Sequence, residues 1–179
     1  LGIFSRNKEV DEDKVEEEIM SMVEEGHEQG AILTDEAEMI SNIFEFGDKE
    51  VKDVMTSRQK IIGIEKETSL EEAMIFMLDH KFSRYPIYED DIDNIVGILH
   101  LKDAMIYYMK DREAPIETIA REANYVHPTQ NISKLFKKMQ SEKIHMEVVI
   151  DEYGQTEGIV AMEDILEVIV GNILDEYDE

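Results

Sequence analysis

The chain has 179 residues, 42% of them hydrophobic, which is enough for one domain or two small domains with a sizeable core. Its net charge of -25 argues against nucleic-acid binding through a broad basic face and against docking on anionic lipid. The absence of cysteine excludes disulfides and thiolate metal sites. No apolar run approaches the ~20 residues of a membrane-spanning helix, and no signal peptide is recognisable.

The first fifty residues are predicted to form two acidic helices. Between Glu9 and Glu50, sixteen acidic residues stand against two basic ones. The segment from Asp13 to Val23 places its apolar residues on one helical stripe, and we expect glycines at 26 and 30 to end it. Thr34, followed by acidic residues, is typical of an N-cap that begins a second helix. Neither helix is expected to fold alone.

Three acidic stretches raise the question of a metal site. Carboxylate oxygens are ligands that Mg²⁺ accepts, so the stretches could collect the ion loosely and relieve repulsion between the helices and their surroundings. No spacing among them defines a tight site, and a hydrated acidic surface is the simpler explanation. The stretches are Glu16–Glu18, Glu24–Glu25 and Asp175–Glu176.

From Val51 onward, short apolar runs alternate with helical stripes. The pattern predicts strands at residues 61–64, 85–88 and 95–99, with a turn at 90–94. It also predicts a helix capped by Thr68 or Ser69 and another from Leu101 to Tyr108. The sequence therefore predicts a mixed α/β fold for residues 51 onward.

This pattern occurs twice. Residues 69–88 align with residues 131–150 at an offset of 62, and "GILHLKD" at 97–103 aligns with "GIVAMED" at 158–164 at an offset of 61. Apolar positions match throughout, and both glycines and both closing aspartates coincide. A duplicated β-α-β-β-α unit predicts two halves packed about a pseudo-twofold axis, because each half alone would leave a sheet face uncovered.

The duplicated unit resembles a tandem pair of CBS domains, also called a Bateman module. The segments "VKDVMTSR", "SRYPIYED", "GILHLKD" and "DEYGQTEGIVAMEDILE" are similar to the cytosolic part of the CorC/haemolysin-like magnesium and cobalt efflux proteins, which are related to the CNNM transporters. The resemblance implies an acidic linker at residues 1–50, a first repeat at 51–115 and a second repeat at 116–179. It also implies a cytoplasmic location beside a membrane-spanning domain that would precede Leu1.

The resemblance implies regulation rather than catalysis. Such modules bind AMP or ATP, sometimes with Mg²⁺, between their halves, and they dimerise into a flat disc. The nucleotide is expected to favour one disc geometry, which the helices around residues 36–46 would transmit. A nucleotide-silent dimerisation scaffold is the alternative. Catalytic signatures such as H-E-x-x-H, G-x-S-x-G and the P-loop are absent from the sequence, so we expect no enzyme.

By this resemblance, the aspartate that begins the closing helix binds the ribose hydroxyls. Asp164 is the stronger candidate and Asp103 the weaker, although an acid in the first turn of a helix also complements the helix dipole. The family often carries a hydroxyl three residues earlier, where this chain has Ala161 and His100. The missing hydroxyls favour the scaffold alternative.

The remaining candidates surround the expected base and phosphates. The resemblance places Tyr85, Pro86 and Met146 beside the base, with ordinary core packing as the competing interpretation. Arg58 and Arg84 are candidates for the phosphates because a guanidinium offers a planar fork, but either could instead pair with a nearby acid. Thr56 could add a hydroxyl near the phosphates. We also expect the side chain of Glu147 to narrow the adjacent cleft.

Overall fold

The structure is a computed structural model that describes residues 11–171. It divides into two units, of which one is Glu50–Ile165 and the other is drawn from the described residues before and after that range. The acidic stretch Asp175–Glu176 lies outside the described residues. In the part that is described, no helix combines the length and apolar character needed to cross a bilayer.

The acidic helices form as the sequence predicts, but their ends differ. Helix α1 (Glu12–Glu28) runs through Gly26, where the side chain of Ile32 lies so close that a Cβ would meet it at 2.8 Å. Helix α2 (Thr34–Asp48) has Leu33 at its N-cap, so the prediction of Thr34 as the cap is wrong. The N–H of Leu33 donates to Glu36 Oε1 at 2.9 Å, which shows that the acid inside the first turn supplies the capping acceptor.

The other unit contains the duplicated pattern. Its first half contains strands β2 (Ile64–Glu65), β3 (Arg84–Glu89) and β4 (Asp91–His100) and helices α4 (Leu70–His80) and α5 (Leu101–Lys110). Its second half contains β5 (Tyr125–Val126), β6 (Met146–Ile150), β7 (Thr156–Ala161), α7 (Ile132–Glu142) and the first four residues of α8 (Met162–Val170). Before β2 lie α3 (Val51–Val54), β1 (Thr56–Ser57) and a 3-10 turn (Arg58–Lys60), and α6 (Ile116–Ile119) lies between the two halves.

Two local predictions need correction. The strand predicted at 61–64 is replaced by β2 at Ile64–Glu65, because residues 61–63 form neither helix nor strand after the 3-10 turn at Arg58–Lys60. The turn predicted at 90–94 is confined to Asp90, which has φ +68°, and β4 already begins at Asp91. By contrast, Ser69 caps α4 as expected, with its hydroxyl accepting from the N–H of Glu72 at 3.2 Å.

The strands form two sheets, in which each half repeats the same pairing. In the first half the order is β2-β3-β4, with β2 parallel and β4 antiparallel to β3. In the second half the order is β1-β7-β6-β5, with β5 parallel and β7 antiparallel to β6. A small apolar cluster of Ile95 and Ile98 from β4 and Val148 from β6 joins the halves.

The chain segment that precedes each half in the sequence pairs with the other half. Strand β1 pairs with β7 of the second half, with Thr56 opposite Ile159. In return, Arg121 pairs with Ile98 of the first half through two hydrogen bonds of 2.8 Å between their backbone groups. Helix α6 follows the same exchange, because its buried Ile116 and Ile119 belong to the core of the first half. Each half is therefore completed by the chain segment before the other.

Candidate functional site

The exchange creates two related clefts at the junctions where β4 meets α5 and β7 meets α8. One, the Asp164 cavity, has a volume of about 290 Å³. The other, the Arg121 cavity, measures about 90 Å³. Pockets that bind drug-sized ligands have volumes of about 300 Å³ or more. Of the two cavities, only the Asp164 cavity approaches the volume that a nucleotide needs.

The Asp164 cavity combines an apolar wall with charged and hydroxyl groups. The apolar part comes from Ile62, Phe82, Met146, Ile159 and Ala161. Hydroxyls are supplied by Thr56, which β1 carries across from the other half, and by Ser83. Three cations and two acids complete the lining: Lys60, Lys81, Arg84, Glu163 and Asp164.

Asp164 lies in the first turn of α8, at the helix end that faces this cavity. Its Oδ2 accepts from the N–H of Ala161 at 3.0 Å, so the carboxylate also closes the start of the helix. The neighbouring Glu163 approaches Arg84, with 3.6 Å between Oε1 and Nη1. The helix-capping and ligand-binding interpretations of Asp164 are therefore compatible, because one carboxylate offers several acceptor sites.

The corresponding carboxylate in the first half is held differently. Asp103 accepts from Arg121 Nε at 2.8 Å and from Arg121 Nη2 at 3.1 Å. This bidentate pair lowers the pKa of Asp103 below its usual range, chiefly through the hydrogen bond from Arg121. Arg121 occupies in the first half the strand position that Thr56 occupies in the second, so a guanidinium stands where the other cavity has a small hydroxyl.

The structure brings together only some of the residues suggested by the sequence. Among those ten candidates, five line the Asp164 cavity: Thr56, Arg84, Met146, Ala161 and Asp164. His100 lines the Arg121 cavity, which Arg84 and Met146 also line. Asp103 lies beside it through its pair with Arg121.

Three candidates, Tyr85, Pro86 and Arg58, lie outside both cavities. Tyr85 is fully buried, and its hydroxyl donates to Met77 O and accepts from the N–H of Phe82, both at 2.7 Å. Burial raises the pKa of this phenol. Pro86 is buried in β3 opposite Ile98. Ordinary core packing accounts for both positions.

Arg58 forms its hydrogen bonds outside the Asp164 cavity. Its guanidinium donates to Asp93 and, at 2.9 Å, to the carbonyl oxygen of Thr156. Asp93 Oδ1 also accepts from the N–H of Thr156 at 2.9 Å, so the cluster ties the start of β4 to the start of β7. The hydrogen bond from Arg58 is the main reason that the pKa of Asp93 is lowered.

Glu147 does not narrow the cleft, and that prediction is wrong. Its side chain is fully buried, and Oε1 accepts from Lys138 Nζ of α7 at 2.9 Å. Burial raises the pKa of this carboxyl, while Lys138 partly opposes the rise. In the alignment of the repeats Glu147 replaces Tyr85, so it lies on the core side of its strand rather than the cavity side.

Sequence reasoning missed several lining residues, among them Lys60, Lys81 and Ser83. It also missed Arg121, for which a signal exists. The repeat extends upstream of the segments first aligned, because "VKDVMTS" at 51–57 lies over "IETIARE" at 116–122. That alignment sets Arg121 opposite Thr56 and marks the two clefts as different.

Comparisons with known proteins agree with this architecture. The CBS domain family matches residues 51–110 and 116–171. The UPF0053 protein YugS of Bacillus subtilis is 38% identical over 164 residues, covering 92% of this chain and 38% of YugS. The magnesium and cobalt efflux protein CorC of Escherichia coli is 33% identical over 169 residues, covering 94% of this chain and 58% of CorC. The chain thus spans less than two thirds of either relative.

Solved structures give the same result. A CBS domain structure of a bacterial CNNM/CorC family Mg²⁺ transporter matches with a TM-score of 0.77 at 34% identity, covering 87% of this chain and 95% of that one. A complex of such a domain with ATP matches with a TM-score of 0.70 at 34% identity, covering 75% and 96%. A CBS-domain pair from Klebsiella pneumoniae with bound AMP matches with a TM-score of 0.61 at 29% identity, covering 68% and 98%. The chain therefore belongs to the CBS-domain family, as a tandem pair homologous to the CBS domains of the CorC and CNNM proteins.

Proposed function

We propose that this chain is the nucleotide-binding regulatory module of a divalent-cation transporter, and that it binds one adenine nucleotide in the Asp164 cavity. The observation that carries the proposal is the asymmetry of the two clefts. The Asp164 cavity measures about 290 Å³, whereas the equivalent position in the first half holds the Arg121–Asp103 ion pair. The module would act by regulation rather than catalysis.

The lining of the Asp164 cavity contains groups that suit each part of an adenine nucleotide. The apolar wall around Phe82 and Met146 suits a base, and the carboxylate of Asp164 suits two vicinal ribose hydroxyls. Lys60, Lys81 and Arg84 supply positive charge for phosphates in a chain whose net charge is -25. The hydroxyl that Ala161 lacks is offset by those of Thr56 and Ser83.

Three relatives support the ligand class and the transporter context. The ATP complex of a CNNM/CorC CBS domain and the AMP complex of a CBS-domain pair are both similar to this chain. CorC is a magnesium and cobalt efflux protein. We therefore propose that the module lies on the cytoplasmic side of a membrane domain, where Mg²⁺ would accompany ATP. The nucleotide would regulate transport by binding one conformation of the module more tightly than another.

Titration calorimetry with AMP and ATP, with and without Mg²⁺, tests the proposal. We expect saturable binding at one site per chain. Asp164→Asn keeps an acceptor for the N–H of Ala161 but removes the charge, so affinity should fall by about 1–2 kcal/mol, roughly 5- to 30-fold. Asp103→Asn is the matched control and should change affinity less than twofold. Equal losses in both variants, or no saturable binding to the unsubstituted chain, would refute the site.

A second function, dimerisation without nucleotide, is favoured by the surface of α4 and α5. Ile75 and Leu78 on α4 and Met105 and Met109 on α5 are large apolar residues that are 49–88% exposed. We propose that a second copy of the chain covers these helices. A stable dimer in sedimentation experiments, combined with no nucleotide binding, would establish this scaffold in place of the sensor.

A further inference from the structure

Helix α7 concentrates positive charge in a chain whose net charge is -25. Its sequence, ISKLFKKMQSE, contains three lysines against one acidic residue. Lys134, Lys137 and Lys138 are all exposed, and their i, i+3 and i+4 spacing places them on one face of the helix. Like charges at these spacings destabilise a helix, so an anionic partner would stabilise this face.

The described residues neutralise only one of these three lysines. Lys138 Nζ donates to the buried Glu147 at 2.9 Å. Lys134 and Lys137 form no ion pair with any residue that the structure describes. Because the chain has 43 acidic residues against 18 basic ones, two neighbouring lysines that no described acid approaches do not follow from composition.

The first half shows that the fold does not require a basic face at this place. In the alignment at an offset of 62, Glu72 and Ile75 of α4 stand at the positions of Lys134 and Lys137. Both residues of α4 are exposed, as are the two lysines. Packing of the helix against its sheet therefore does not fix these positions, and the charge of the lysines is available for recognition.

We propose that Lys134 and Lys137 on α7 bind the acidic helix α1 of a second copy of this chain. Helix α1 carries eight acidic residues against one lysine. Glu18 and Glu25 lie two turns apart on one face of α1, and both are exposed. Met22 lies between them and is 72% exposed, so the methylene stems of the lysines also gain an apolar contact.

Electrostatics sets the strength of this contact. Two copies that each carry a net charge of -25 repel, but at about 0.15 M salt the Debye length is about 8 Å, so distant charges are largely screened and groups in contact still attract. Exposed ion pairs are individually weak. The contact therefore orients copies that are already close, and it differs from the apolar face of α4 and α5, whose association salt does not screen. It involves neither the nucleotide nor its cavity, so it goes beyond the proposed function.

Zero-length cross-linking with a carbodiimide tests the contact, because this reagent joins a carboxylate directly to a lysine amine. Isotope-labelled and unlabelled chains are mixed at about 0.15 M sodium chloride, and the linked peptides are identified by mass spectrometry. We expect mixed-label peptides that join Lys134 or Lys137 to α1, with a yield about fivefold lower at 1 M salt, where the Debye length is about 3 Å. No mixed-label peptides, or a yield that salt does not change, would overturn the proposal.

A charge swap tests the contact without isotopes. Lys134→Glu/Lys137→Glu puts carboxylates on α7, and Glu18→Lys/Glu25→Lys puts amines on α1. Neither variant alone can link these positions, because within each variant both helices carry the same group there. A mixture of the two variants restores opposite charges between copies, so links from 134 or 137 to 18 or 25 should form. Their absence from the mixture, with both variants folded by thermal unfolding, would show that the helices do not meet.

Two lysines on α5 provide the matched control. Lys102 and Lys110 are also exposed and form no ion pair with described residues. Lys102→Glu/Lys110→Glu makes the same change in net charge, and its mixture with Glu18→Lys/Glu25→Lys should give about one fifth or less of the links. Equal yields would mean random collision and would overturn the proposal. Binding of the unsubstituted chain to phosphatidylglycerol vesicles, without links in the first mixture, would assign the face to lipid instead.

Discussion

Gly158 is the position where the exchanged strand β1 approaches β7 most closely. A Cβ at this glycine would lie 2.3 Å from Thr56 O and 2.9 Å from Met55 Sδ. Non-bonded heavy atoms are in favourable contact at about 3.5 Å, so Gly158→Ala must push the two strands apart by about 1 Å. Thr56 is a backbone contact within a strand pair and cannot yield by a side-chain rotation.

The expected cost follows from this overlap. Overpacking of this kind destabilises proteins by about 1–3 kcal/mol. For a unit of this size, that corresponds to a decrease in Tm of roughly 3–6 °C for each kcal/mol. Because β1 carries Thr56 into the Asp164 cavity, we also expect Gly158→Ala to weaken nucleotide binding.

Thermal unfolding of the chain measures the effect, and Gly47→Ala provides the control. A Cβ at Gly47, near the end of α2, would meet no atom of the described residues within 4 Å beyond its own stretch of helix, so this variant should be neutral or stabilise its helix by up to about 1 kcal/mol. An unchanged Tm in Gly158→Ala would contradict the pairing of β1 with β7. It would then be necessary to assign residues 56–57 to the first half.

Three further variants test other parts of the structure. Glu147→Gln removes a buried carboxyl whose pKa is raised by burial and whose Oε2 has no partner among the described residues, so it should stabilise the chain by about 1 kcal/mol at pH 7. The gain in Tm should vanish below about pH 4.5, where the carboxyl is protonated both folded and unfolded, and a constant gain would contradict this origin. Arg58→Ala should lower Tm by breaking the contact with Asp93 but change nucleotide affinity less than twofold, whereas a tenfold loss in calorimetry would place Arg58 in the site. Leu78→Asp should convert a dimer to a monomer in sedimentation experiments, and a dimer that persists would exclude this face.

The sequence by itself determined the elements and their duplication. Apolar spacing identified α4, and the alignment of residues 131–150 with 69–88 extended that prediction to α7 and showed that the halves repeat. These features are local or are repeated along the chain, so periodicity and alignment can detect them. The preference for Asp164 over Asp103 came instead from the family resemblance, without a physical cause read from the sequence.

The tertiary structure decided which segments complete each half. The pairing of β1 with β7 involves two residues on each strand, about one hundred positions apart, and such short contacts leave no periodic signal. The exchange is what carries Thr56 to one cleft and Arg121 to the other. The bond between Arg121 and Asp103 then makes the clefts different, because only folding brings these two side chains within hydrogen-bonding distance.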